Sequence, residues 1–134
     1  MSSLKSETLP ITVETDLVRV RQTVKAWCAE TRFSLLDQTK MMTAASELGR
    51  NTLIYGGGGR AELSIVEREG RLGVRVAFID SGPGIADVAQ AMTDGFTSGK
   101  GMGLGLSGSK RLVNEFDLVS APGQGTRVTI IRWK

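Results

Sequence analysis

The stretch from Val74 to Gly105 constrains this chain more than any other. A β-rich apolar run, Val74, Val76, Phe78 and Ile79, ends on Asp80-Ser81-Gly82-Pro83-Gly84. A strand that stops on Asp-x-Gly-x-Gly sets a fixed carboxylate beside bare backbone, and proline with glycine forces the turn. Further on, Gly99-Lys100-Gly101-Met102-Gly103-Leu104-Gly105 is too broken to be regular and runs into a helical pattern from Leu106. Glycines let backbone N–H groups approach an anion, and a helix start adds favourable potential. The spacing matches neither the Gly-x-x-x-x-Gly-Lys-Ser/Thr phosphate loop nor the dinucleotide fingerprint.

The flanking pattern supplies a fold. Residues 1–8 read as a loose polar segment, and Leu9 to Glu14 as a short strand with Pro10 near its start. From Asp16 to about Thr31, Leu17, Val20, Val24, Trp27 and Cys28 recur at helical steps. Asp37 is placed to cap a second helix reaching about Tyr55, with Met41, Ala44, Ala45 and Leu48 inward. Gly56-Gly57-Gly58-Gly59 ends it as a loop. Glu62–Glu67 and Leu72–Ile79 form a hairpin through Arg68-Glu69-Gly70-Arg71. A short helix fits Ala86–Met92 and another fits Leu106 to about Phe116. Asp117–Ser120 and Arg127–Trp133 make a closing hairpin around Ala121-Pro122-Gly123-Gln124-Gly125. This order predicts an α+β two-layer sandwich, a mixed, largely antiparallel sheet with helices on one face, as one domain over residues 9–134.

Composition removes several chemistries. There is no histidine among the 134 residues, which excludes a Ser-His-Asp triad, histidine metal ligation and a phosphohistidine on this chain. The single cysteine, Cys28, excludes an internal disulfide and leaves no zinc site. Set among Val24, Trp27 and Thr31 it reads as a small core residue. The 17 Lys+Arg against 14 Asp+Glu are scattered, a solvated surface and not a nucleic-acid patch. No apolar stretch approaches the ~20 residues that span a bilayer, and the polar start Met1–Lys5 lacks a secretory core. The expectation is a cytoplasmic protein without membrane or nucleic-acid partners.

Glu47 and Asn51 stand four apart on the second helix, so their side chains share a face. A carboxylate and a carboxamide there suit a Mg²⁺ ion, which prefers oxygen ligands. Taken alone, the pair reads first as a solvent-facing polar stripe on an amphipathic helix. Asp80 can accept from a purine amine, or simply close its own turn. Lys100 can meet a terminal phosphate or lie exposed in its loop.

Together these features resemble the GHKL ATPase superfamily, named for gyrase, Hsp90, histidine kinases and MutL. Its N box is matched by Glu47 to Asn51, its first glycine box by Asp80 to Gly84, its second by Gly101 to Gly105, and its closing Gly-Thr by Gly125-Thr126. Within it the chain looks most like the anti-sigma-factor serine/threonine kinases of the RsbT switch type. Ser46-Glu47-Leu48-Gly49-Arg50-Asn51, Asp94-Gly95-Phe96-Thr97-Ser98 and Lys110-Arg111-Leu112-Val113-Asn114-Glu115-Phe116 carry that likeness.

The resemblance implies ATP and Mg²⁺ as cofactors. It implies Asn51 on the metal, Asp80 on adenine, and Gly82 and Gly84 shaping the base pocket. Gly103 and Gly105 would line the phosphates with Lys100 and Gly101 beside them. Thr126 would support the pocket, and Glu47 would be the general base toward a protein hydroxyl. A STAS-domain antagonist or scaffold is the implied substrate, in bacterial stress or sigma-factor regulation by partner switching, with a sigma factor or phosphatase as a docking partner. A nucleotide-dependent binding module with little catalysis is the alternative, and a free-standing catalytic domain of a histidine kinase or ATPase is a third.

Overall fold

The computed structural model describes residues 1–93 and 105–134. The elements are β1 (Ser2–Ile11), α1 (Glu14–Glu30), α2 (Leu35–Ile54), β2 (Gly59–Arg68), β3 (Arg71–Asp80), α3 (Val88–Ala91), α4 (Gly105–Arg111), β4 (Glu115–Ser120) and β5 (Thr126–Trp133). The order is the expected one: strand, two helices, two strands, two helices, two strands. The five strands lie in the order β1-β2-β3-β5-β4. Every pairing between them is antiparallel, so nothing in the sheet is mixed.

The chain start is not loose. Ser2 pairs with Glu67, and the ladder runs on to Ile11 against Gly59, with one irregularity between Ser3 and Lys5. Sequence periodicity misses this because the edge strand buries only Leu9 and Ile11. Its backbone is satisfied by β2 while most of its side chains stay in water.

Helix α1 begins two residues earlier than its apolar stripe suggests. The Asp16 carboxylate accepts the N–H groups of Thr12 (2.8 Å) and Val13 (3.1 Å). Those two bonds hold the acid below the usual aspartate range. Helix α2 is capped by Ser34, whose hydroxyl accepts the Asp37 N–H at 3.1 Å. Asp37 was the expected cap. Its carboxylate instead takes Arg132 from β5 at 2.6 Å, tying the start of α2 to the sheet. That guanidinium also donates to the Leu112 carbonyl at 2.8 Å and holds the Asp37 carboxyl below its ordinary value.

The core lies between helices and sheet. Val20, Val24 and Trp27 of α1 and Met41, Ala44 and Leu48 of α2 meet Leu63, Val74, Val76, Phe78 and Ile130. Cys28 is fully buried there, as expected, and burial pushes its thiol up to about 12, which removes it as a nucleophile. A second cluster, Val66, Ile131 and Trp133, covers the other face of the sheet. Helix α4 ends at Arg111, well short of Phe116, because Phe116 enters β4 and turns its ring to the core. Among the described residues no helix is long and apolar enough to cross a membrane.

Candidate nucleotide site

The second half of α2, the end of β3, the start of β5 and the first turn of α4 converge on one cavity of about 250 Å³. Leu48, Phe78, Ile85, Leu106 and Val128 make its apolar walls. Asn51, Thr52, Tyr55, Asp80 and Thr126 bring polar atoms to it. An apolar slot with a few convergent polar groups is the usual form of a small-molecule site, although this volume lies just under the ~300–1,000 Å³ such sites span. It has room for a flat base more than for a whole nucleoside triphosphate.

Asp80 is the last residue of β3 and stands directly opposite Thr126 in the β3–β5 ladder. Its Oδ1 accepts the Gly82 N–H at 2.9 Å. This is the local turn bond that the residue pattern allowed for, yet it uses only one oxygen. Among the described residues Oδ2 has no donor. The carboxyl reaches this position because residue 56 is glycine: a Cβ there would overlap the Asp80 carboxyl group. Gly84 is held at φ 76°, where a side chain would drive into the Ala121 carbonyl. Its loop is tied down by the Gly123 N–H on the Pro83 carbonyl at 2.8 Å.

Asn51 lines the cavity, and Thr52 beside it spends its hydroxyl on the Leu48 carbonyl at 3.0 Å. Glu47 lies one turn earlier and outside the cavity wall. Its Oε1 accepts the N–H of Gly105, the first residue of α4, at 3.3 Å. Asn51 thus borders the base-sized slot, while Glu47, one turn away, reaches the start of α4. Among the described residues no group of three acidic, cysteine or histidine side chains forms a metal cage. A Mg²⁺ ion often draws only one or two ligands from protein and the rest from phosphate and water, so Asn51 beside Glu47 fits such an ion.

Of the residues expected from sequence, Glu47, Asn51, Asp80, Gly82, Gly84, Gly105 and Thr126 are brought to this corner. Lys100, Gly101 and Gly103 lie outside the described residues, as does Asp94 to Ser98. Sequence reading missed Gly56, Tyr55 and Ser120. Gly56 was signalled only as part of a glycine loop, although its offset of five from Asn51 already placed it just past the helix. Ser120 was signalled by hairpin arithmetic: it pairs with Thr126 across the 121–125 turn.

Comparison with known proteins agrees with this geometry. The profile of the histidine kinase-, DNA gyrase B- and HSP90-like ATPases matches residues 36–134. The serine/threonine-protein kinase RsbT of Bacillus subtilis (strain 168) is 41% identical over 123 residues, 92% of each chain. The crystal structure of the RsbU and RsbW domains of Rv1364c from Mycobacterium tuberculosis superposes with a TM-score of 0.65 at 19% identity. That alignment covers 97% of this chain but only 33% of the larger one, a likeness of fold. By profile and by relative, the chain belongs to the histidine kinase-, DNA gyrase B- and HSP90-like (GHKL) ATPase family and, within it, to the serine/threonine protein kinases of RsbT type.

Proposed function

We propose that the cavity takes the adenine of ATP and that the chain transfers the γ-phosphoryl group to a serine or threonine hydroxyl of a partner protein. The observation that carries this reading is Asp80: a carboxylate with one oxygen anchored on Gly82 and the other without a donor among the described residues, beside an apolar slot. The exocyclic amine of adenine is the donor that such an acceptor requires. Gly82 and Gly84 shape the base pocket, Thr126 supports it, and Gly105 offers its N–H where phosphate oxygens would lie. Lys100, Gly101 and Gly103 are proposed for the same phosphates on motif grounds alone.

Phosphoryl transfer needs little covalent chemistry from the protein; positioning and charge neutralisation dominate. Mg²⁺, held through Asn51, supplies that neutralisation when bound. Glu47 is the group that takes the hydroxyl proton of the incoming side chain. It is four residues from Asn51, so base and metal ligand share one helix face. Its long 3.3 Å bond to Gly105 leaves the carboxylate free to exchange partners. The partner we propose is a STAS-domain protein in a cytoplasmic partner-switching system for stress or sigma-factor control.

The test is a transfer assay with the purified chain, γ-labelled ATP, Mg²⁺ and a STAS-domain protein. Label should appear on a serine or threonine of the partner. Glu47→Ala should lower the rate by ~10²–10⁴ while ATP still binds. Equal rates would remove Glu47 as base. Absence of label despite ATP binding would favour a nucleotide-dependent docking module instead.

A further inference from the structure

The hydroxyl of Ser120 joins three segments around the cavity. It accepts the Ile85 N–H at 2.8 Å, meets the Gly125 carbonyl at 2.9 Å, and lies 2.9 Å from the Thr126 hydroxyl. A serine hydroxyl has one proton and two acceptor sites. A carbonyl cannot donate, so the Ser120 proton satisfies Gly125. The remaining sites then accept from Ile85 and from Thr126, and all three contacts become real hydrogen bonds. The opposite polarity, with Ser120 donating to Thr126, would leave the contact with Gly125 empty. Bond counting therefore fixes the direction: Thr126 spends its proton on Ser120.

One consequence reaches the cavity. With its proton turned away, Thr126 offers only lone pairs to whatever enters, and Thr126 lines that space. Asp80 stands opposite it in the ladder with a carboxylate oxygen also lacking a donor among the described residues. Two acceptors side by side call for a group with two N–H bonds. They repel a carbonyl oxygen, whose lone pairs would face theirs.

We infer that Ser120 is a positioning residue that sets the polarity of Thr126, and so makes this end of the cavity select a 6-amino purine over a 6-oxo purine. This deepens the adenine reading of the site and rests on it. Ser120 does not touch the base; it acts through the hydroxyl of its neighbour.

The experiment compares equilibrium binding of Mg·ATP and Mg·ITP, the latter carrying a carbonyl at C6 and a proton on N1. Wild type should prefer ATP. In Ser120→Ala the Thr126 proton loses its acceptor and can turn into the cavity to meet the inosine carbonyl. The ITP-to-ATP ratio of Kd should then fall roughly tenfold, the scale of one hydrogen bond. Ser120→Thr, which keeps the hydroxyl, should restore the ratio. Thr126→Val, measured alongside in case the alanine variant fails to fold, should shrink the ratio by a similar factor. A merely structural role for Ser120 would weaken both nucleotides in parallel and leave the ratio fixed. That result, or an unaltered ratio in Thr126→Val, overturns the inference while ATP preference in wild type leaves the adenine site standing. A wild type that binds neither nucleotide, or both alike, overturns the adenine reading together with it.

Discussion

Each end of the β3–β5 ladder has a glycine that makes room for a side chain, but the two ends differ in what lies beyond that side chain. At one end Gly73 faces Trp133 in register, and a Cβ on Gly73 would come within 2.6 Å of the indole ring. The cleared space is filled. The indole N–H donates to Glu115, the Arg68 guanidinium lies 4.8 Å from the ring centre, and Arg68 pairs with Glu115 at 2.8 Å. At the other end Asp80 faces Thr126, with Gly56 closing on the carboxyl. There the carboxyl takes the cleared space and borders an open cavity, and one carboxylate oxygen keeps no donor among the described residues. Buried polar groups are normally paired. At the Trp133 end the indole N–H and the Arg68 guanidinium are spent within the fold; at the Asp80 end an acceptor is held back, as the proposed ligand site requires.

Breaking the filled end should cost folding and spare binding. Trp133→Ala removes a ring that is 7% exposed and should lower stability by about 3 kcal/mol in a urea titration. Its Kd for ATP should stay within about twofold of wild type, because distant sites act nearly independently. Breaking the open end should do the reverse. Asp80→Asn puts an amide where the adenine amine needs a charged acceptor, and should weaken ATP by about thirtyfold, near 2 kcal/mol. Its urea midpoint should hardly move, since among the described residues no hydrogen-bond partner beyond Gly82 depends on that carboxylate.

A smaller effect sharpens the comparison at the helix layer. Asp37 and Arg132 join α2 to β5, and α2 carries Glu47 and Asn51. Asp37→Asn should cost about 1–2 kcal/mol at neutral pH, between the values for exposed and buried pairs. The Asp37 carboxyl is held below its ordinary value of 3.8, chiefly by the hydrogen bond from Arg132. The pair's contribution is therefore complete above the ordinary aspartate range and fades as pH falls through the depressed value. Stability curves of wild type and Asp37→Asn should converge in acid, and a gap that stays constant with pH would deny the pair its role.

Much of this was legible in the chain. The apolar steps of α1 and α2, the two hairpins and the sequence of elements all follow from periodicity and turn residues, because burial writes them directly. The joining of Glu47, Asn51, Asp80 and Thr126 in one corner came instead from the resemblance to the GHKL motifs, because helix-face and strand-end counting alone leaves each of them as an ordinary surface or turn residue. What stayed hidden depends on pairing across the fold. β1 begins at Ser2 because β2 offers it an edge, and an edge strand needs no apolar alternation. Asp37 looked like a helix cap because Arg132, its partner, is 95 residues away in sequence. Ser120 looked like the end of a strand because a network of three hydroxyl contacts has no sequence period.

Whether the open end of the ladder is the adenine site is decided by calorimetric titration of Mg·ATP into wild type, Asp80→Asn and Trp133→Ala. Wild type and Trp133→Ala should bind with similar affinity, and the heat of binding should be largely lost in Asp80→Asn. An Asp80→Asn protein that binds ATP as wild type does would contradict the adenine assignment.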